Sequence, residues 1–399
     1  MINVKDYIKH NRTPWPQITH ALEEQYEILD YFELGQYDFR PNVMAFFWSK
    51  YSNYKFLPNQ RIVITQYDLN FYLPGSTIST NLYNLFLILN FYNIPTDFLI
   101  FLIGDYSESE IETLSDYFNL PRPNIVRSVY FLEFLHSEYQ SFAPANLDKI
   151  QHHFICLNGN QRPFRLDLLC LLENKNLLEK GIVSYNFSAN SDYLHLPKEA
   201  AQAIPDVNIG LINVQPFNRT NERYIKNIEI VEANQRFLSK FQYQTHRHRL
   251  IDVDYRDRIK WETPTQQNSW FIQSGGIDLV VETAMTYPYP FISEKTWKAI
   301  TYSRPFIIAG PPGIIKRLHD LGFKTFDCFW DESYDNILDT SKRLCYISSI
   351  VEKICALPLS QIRELVSESE SIYQHNFFNY IGNFRNNLLD QVINKIKHS

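Results

Sequence analysis

The sequence predicts an α/β protein: two doubly wound domains facing a cleft, followed by a set of C-terminal helices. Three observations carry that expectation. Short apolar runs of strand length alternate with stretches of helical period between residues 61 and 131. The alternation restarts near residue 153, and the chain beyond Tyr334 reads almost wholly as helix. Buried strands alternating with helices require a parallel sheet covered on both faces.

Residues 1–55 show no clear period and read as an N-terminal extension. Arg61 to Thr65 then reads as a buried strand, and Asn81 to Tyr92 as a Leu- and Phe-rich helix that ends before Pro95. Phe98 to Gly104 is a second strand. Glu108 to Phe118 places Ile111, Leu114 and Phe118 at helical spacing after Ser107, a plausible cap. Asn124 to Phe131 is a third strand. The second series has a strand over His153 to Leu157, a helix over Pro163 to Leu172, and a strand over Ile277 to Thr283. It continues with a helix over Glu294 to Tyr302, a strand over Pro305 to Ala309, and a helix over Ile314 to Leu321 stopped by Gly322. Lys324-Thr325-Phe326 reads as the start of a further strand. Helical patterns follow over Tyr334 to Ala356, Gln361 to Tyr380 and Phe384 to Lys397. The expected division is an extension over 1–55, a first doubly wound domain over 56–148, a second over 149–358, and helices over 359–399.

Composition narrows the class of function. The 399 residues are 45% hydrophobic and 21% charged, so a large core can form. The 26 Tyr and 29 Phe read mostly as core, with some rings available to line a cleft. A net charge of −6 argues against a sequence-wide grip on nucleic acid, leaving only a local basic groove open. Cys156, Cys170, Cys328, Cys345 and Cys355 show no CxxC spacing, so zinc-ribbon and disulfide frameworks fit poorly. Met1 to Arg12 is polar, without the apolar core of a signal peptide. The longest apolar stretches, Leu82 to Tyr92 and Phe98 to Ile103, fall short of the roughly 20 residues of a membrane helix. The expectation is a cytoplasmic protein with no membrane span.

Three segments can carry chemistry. In Leu157-Asn158-Gly159-Asn160-Gln161-Arg162-Pro163-Phe164-Arg165 a strand ends, a loop follows, and a helix opens on Pro163. A helix start already favours anions, so arginines there bring the helix nothing unless a phosphate lies opposite. The planar guanidinium suits that role, because it can hold two phosphate oxygens at once. Solvated or carboxylate-paired arginines are the plainer reading. The second segment is Val281-Glu282-Thr283 followed by Phe291-Ile292-Ser293-Glu294-Lys295. Glu282 closes a buried strand, where an isolated carboxylate is costly. Ser293 caps the next helix, Glu294 can accept ribose hydroxyls, and Lys295 can face a diphosphate. A capped helix with an exposed charge pair is the alternative. The third, Ile307 to Gly313, runs a buried strand into a tight turn. It has neither the Walker lysine nor a GxGxxG. Gly310 and Gly313 serve a close ligand approach or only the turn.

The ordered set of these segments resembles the donor-binding half of the α1,3-fucosyltransferase family, over roughly residues 151–330. The matching pieces are Leu157-Asn158, Arg162 and Arg165, the Leu-rich Leu168 to Leu172, and Gly181. Further on are Glu282-Thr283, Phe291-Ile292-Ser293-Glu294-Lys295, and Pro305 to Pro311. The resemblance implies a GT-B-like fold of two Rossmann-type domains. It also implies transfer of a sugar from a nucleoside-diphosphate sugar to a hydroxyl acceptor, a glycan or another molecule. Arg165 and Lys295 would hold the diphosphate, Glu294 the ribose, and Glu282 would lie beside the sugar. Glu282 and Arg165 are then the catalytic candidates. Asn158, Arg162, Thr283, Phe291, Ser293 and Gly310 join Arg165, Glu294 and Lys295 in binding substrate. No metal and no cofactor beyond the sugar nucleotide are implied. Thr283 stands where the family has Asn, and Phe291 where it has Tyr, which leaves the donor sugar open.

The first half matches nothing in that family. Asp68, Asp105 and Glu108, at or near strand ends, are candidates for a catalytic base, and each also reads as a turn or cap residue. Asp252-Val253-Asp254 is a rival signal for a metal-dependent donor site, although Arg256 and Arg258 can pair with it. His246-Arg247-His248-Arg249 is a basic cluster that reads as a solvated face or a phosphate contact. A non-catalytic nucleotide-binding module is the remaining alternative.

Overall fold

A computed structural model describes residues 16–33, 41–66, 79–103, 108–127, 144–158, 163–185, 270–287 and 289–397. The chain divides into two compact units. The first holds the described residues up to 127 and again 386–397, and the second holds those from 144 to 385.

In the first unit the elements are α1 (Pro16–Gln25), β1 (Glu27–Glu33), α2 (Pro41–Ser49), β2 (Gln60–Gln66), α3 (Thr80–Phe91), β3 (Leu99–Ile103), α4 (Glu108–Phe118) and β4 (Asn124–Arg127). The strands form one parallel sheet in the order β1-β2-β3-β4. Each strand is added on the same side of the last, so right-handed crossovers put the connecting helices on one face. The side chains follow. Phe32, Ile62, Ile64, Leu99, Phe101 and Ile103 meet Met44 and Trp48 of α2, Leu85 and Leu89 of α3, and Ile111 and Leu114 of α4. The alternate residues Tyr31, Val63, Ile100, Leu102 and Val126 face the other way. They pack on Ile18, Ala21 and Leu22 of α1 and on Val392 and Ile396 near the C-terminus.

The stretch without a clear period thus contains α1, β1 and α2, and β1 is an edge strand of the first sheet. Its pattern is hidden by Asp30, buried in mid-strand at a register shift. The carboxylate is held there by the Lys50 ammonium and by the Tyr51 hydroxyl at 3.1 Å. Paired in this way, the charge tolerates a position that an apolar residue would normally fill.

The second unit runs β5 (His152–Asn158), α5 (Pro163–Asn174), β6 (Gly181–Tyr185), α6 (Trp270–Ser274), β7 (Gly275–Val281), α7 (Glu294–Thr301), β8 (Phe306–Ala309) and α8 (Ile314–Asp320). Then come α9 (Thr340–Cys355), α10 (Leu359–Glu368) and α11 (Glu370–Phe378). A π-helical turn over Asn379–Phe384 leads into α12 (Arg385–Lys397), most of which lies in the first unit. The sheet is parallel, in the order β6-β5-β7-β8. Here the direction of addition reverses: β6 lies on one side of β5 and β7 on the other. In doubly wound sheets such a reversal is where a crevice forms, outside the carboxyl ends of the strands that flank it.

Three expectations along this half are corrected. Lys324-Thr325-Phe326 is not a strand, because side chains take its backbone groups. Asn376 accepts from the Lys324 N–H and donates to its carbonyl, both at 2.8 Å, and Glu332 accepts from the Phe326 N–H at 3.2 Å. The pattern from Tyr334 to Ala356 becomes a helix only at Thr340, where Asp339 caps it. The pattern from Gln361 to Tyr380 is two helices parted at Ser369, whose hydroxyl bonds back to the Leu365 carbonyl at 2.8 Å. Among the described residues no helix is long and apolar enough to cross a membrane.

Candidate functional site

Asn158 closes β5 and is buried, with its amide donating to the Cys156 sulfur at 3.3 Å. Burial pushes that thiol up to about 12, so it is inert packing. Gly159 to Arg162 lie outside the described residues, so the expected role of Arg162 has no structural counterpart here. Arg165 sits in the first turn of α5, only 1% exposed. Its guanidinium reaches the end of the neighbouring strand and donates to the carbonyls of Val281 at 3.3 Å and Glu282 at 3.1 Å. The helix that follows β5 is thereby tied to the carboxyl end of β7, across the reversal in strand order.

Glu282 continues from β7 and is fully buried. One carboxylate oxygen accepts from the Ser293 N–H at 3.0 Å and the Thr296 hydroxyl at 2.5 Å, and the other accepts from the Thr283 N–H at 3.1 Å. Ser293 caps α7, its hydroxyl accepting from the Lys295 N–H at 3.3 Å. In a capping box the cap residue's own N–H is accepted by a Glu or Gln three positions on. Here that position is Thr296, and Glu282 from the preceding strand takes over the role. The first unit repeats the device: Ser79 caps α3, and its N–H donates to the Glu110 carboxylate at 2.5 Å.

Lys295 leaves the first turn of α7 half-buried, and its ammonium donates to the Thr283 hydroxyl at 2.9 Å and the Ser293 hydroxyl at 3.4 Å. The two predicted cations therefore converge on the same short segment, Val281 to Thr283, one through its backbone and the other through a side chain. Glu294 opens α7, and its side chain lies outside the described residues. Phe291 is buried, its ring 6.1 Å from that of Tyr287.

The Gly310 turn is filled from within. A Cβ at Gly310 would stand 2.8 Å from Cδ1 of Ile314 and 3.3 Å from Cγ of Glu282, so the glycine makes room for the Glu282 stem. At the start of α8, the Asp335 carboxylate accepts from the N–H groups of Ile315 and Lys316, each at 3.1 Å. Arg343 of α9 is buried as well. It donates to the Met285 carbonyl at 2.6 Å and to the Ile337 carbonyl, fixing the loop that joins β7 to α7. Burial brings this guanidinium down to about 10, and Asp335 and Asp339 oppose the shift.

No protein-family model matches the chain, and no curated protein matches its sequence.

Thr296, Asp335 and Arg343 escaped the sequence reading. Thr296 had a faint signal, a cap serine without the usual Glu or Gln three residues later. Asp335 and Arg343 act across loops, and no local pattern marks them. In the first unit Glu108 opens α4 and lines a shallow depression with Arg122 and Lys395. Asp68 and Asp105 lie outside the described residues, as do Asp252, Asp254 and the basic cluster of 246–249. Among the described residues no group of three or more His, Cys, Asp or Glu side chains is arranged to hold a metal.

Proposed function

We propose that the second unit binds a nucleoside-diphosphate sugar and that the protein transfers the sugar to a hydroxyl acceptor without a metal. The observation that carries this reading is the convergence of Arg165 and Lys295 at the carboxyl end of β7, beside the reversal in strand order. Ligands of doubly wound sheets bind at such crevices. The Lys295 ammonium would meet the diphosphate. Arg165, buried at the same segment, would add a second positive charge that water does not screen. Their combined field favours the charge that builds on the diphosphate as the sugar departs. A carboxylate acting as general base would take the acceptor's proton. The resemblance of residues 151–330 to the α1,3-fucosyltransferase family supports the same reading.

The test is thermal unfolding in the presence of GDP, UDP, CDP, dTDP or ADP. One base should raise the melting temperature, since a ligand at a hundred times its Kd stabilises a fold by about 2.7 kcal/mol. Lys295→Met should remove most of that rise. A wild-type protein indifferent to all five nucleotides would refute the proposal.

A second reading, a nucleotide-binding module without transfer, is favoured by one observation. The carboxylates of Glu282 and Asp335 are both committed to internal hydrogen bonds. Release of free or transferred sugar from any sugar nucleotide would dismiss it.

A further inference from the structure

Glu282 stands at the centre of the candidate site, yet nothing about its carboxylate faces outward. Its oxygens are taken by the N–H of Thr283, the N–H of Ser293 and the hydroxyl of Thr296. Its carbonyl is taken by Arg165 and its stem lies against Gly310. The two side chains that Lys295 leans on, Thr283 and Ser293, are thus the two residues whose backbones hang on this carboxylate. The carboxylate closes the loop between β7 and α7 at both ends and fixes where the ammonium emerges.

We infer that Glu282 is a positioning residue for diphosphate binding, acting through Lys295, and that it neither touches the sugar nor moves a proton. The inference rests on the reading of the site given above. It separates Glu282 from the catalytic role that its place at a strand end first suggests. A fully buried carboxylate whose oxygens already accept three hydrogen bonds could reach a substrate only by abandoning the cap of α7.

The experiment measures calorimetric affinities for the nucleoside diphosphate that stabilises the wild-type protein, and for the matching nucleoside. The proteins are wild type, Glu282→Gln, Lys295→Met and the double variant. The amide offers a donor where the Thr283 N–H needs an acceptor, so the loop should shift. Glu282→Gln should weaken diphosphate binding roughly tenfold and leave nucleoside binding unchanged, and in the Lys295→Met background it should cause no further loss. General loosening of the fold would instead reduce both ligands in both backgrounds. Full diphosphate affinity in Glu282→Gln overturns the inference, as does an equal loss with Lys295 already absent. A wild-type protein that binds no nucleotide overturns the reading of the site itself, and this inference with it. Should Glu282→Gln fail to fold, Thr296→Val removes one of the three donors at nearly constant volume. It should weaken the diphosphate about threefold, and unaltered binding there counts against the role.

Discussion

At the scale of the residue, the second unit shows buried charge put to structural use. Arg165 donates to carbonyls at the carboxyl end of β7, and Arg343 to carbonyls in the loops around Met285 and Ile337, so removing either would take a donor from buried acceptors. The acids are less evenly served. Asp278 in mid-β7 is half-buried by surface area, and desolvation of its carboxyl lifts it from the ordinary 3.8 of an aspartate to about 7, against the pull of Arg304. The fold therefore prefers the protonated acid. Its contribution to stability is whole below about pH 4 and is lost as pH rises through about 7. Asp278→Asn keeps a neutral side chain at every pH. Calorimetry should find its melting temperature above wild type near pH 8 and level with it near pH 4, on the same linkage argument. A gap that does not change with pH would show that the carboxyl is not the titrating group.

At the scale of the element, turns and caps decide where helices begin. Gly313, just before α8, has φ of 81°, and a Cβ there would meet nothing within 4 Å. The cost of a side chain is then pure backbone strain. Gly313→Ala should lose about 1–2 kcal/mol in urea titration, and Gly313→Asn less, because Asn visits the left-handed region more readily. Equal losses would mean that contact, not conformation, sets the cost. Elements were legible in the sequence where the physics is local. The fully buried runs of β3 and β8, the opening of α5 on Pro163 and the Ser293 cap all announce themselves within a few residues. Elements that depend on distant partners were not legible. β1 needs Lys50 and Tyr51 to carry Asp30, and the segment around Thr325 is drawn out of strand geometry by Asn376 and Glu332. The site divides in the same way. Arg165 and Lys295 could be named from helix starts alone, whereas the closing role of Glu282 appears only when Ser293 and Thr296 come back to it.

At the scale of the whole molecule, the two sheets differ in the order in which their strands are added. The first adds its strands in one direction and has no reversal among the described strands, and the second has one, with the candidate cations beside it. The first unit also depends on the far end of the chain. Val392 and Ile396 of α12 sit 4% and 1% exposed in the cluster over Val63, Ile100 and Val126. Ile396→Asp should destabilise the first unit by about 3 kcal/mol or more, since it puts an unpaired charge into that cluster. Limited proteolysis should then cut within the first unit while the second resists. Simultaneous loss of both would show that they unfold as one.

That dependence has a consequence for biosynthesis. The strands of the first sheet leave the ribosome early, but the helix that completes one face of it comes near the end. At about 10 residues per second, this leaves roughly half a minute in which Val63, Ile100 and Val126 lack their last cover. Through that interval one greasy face of the young sheet waits half-dressed for its final helix.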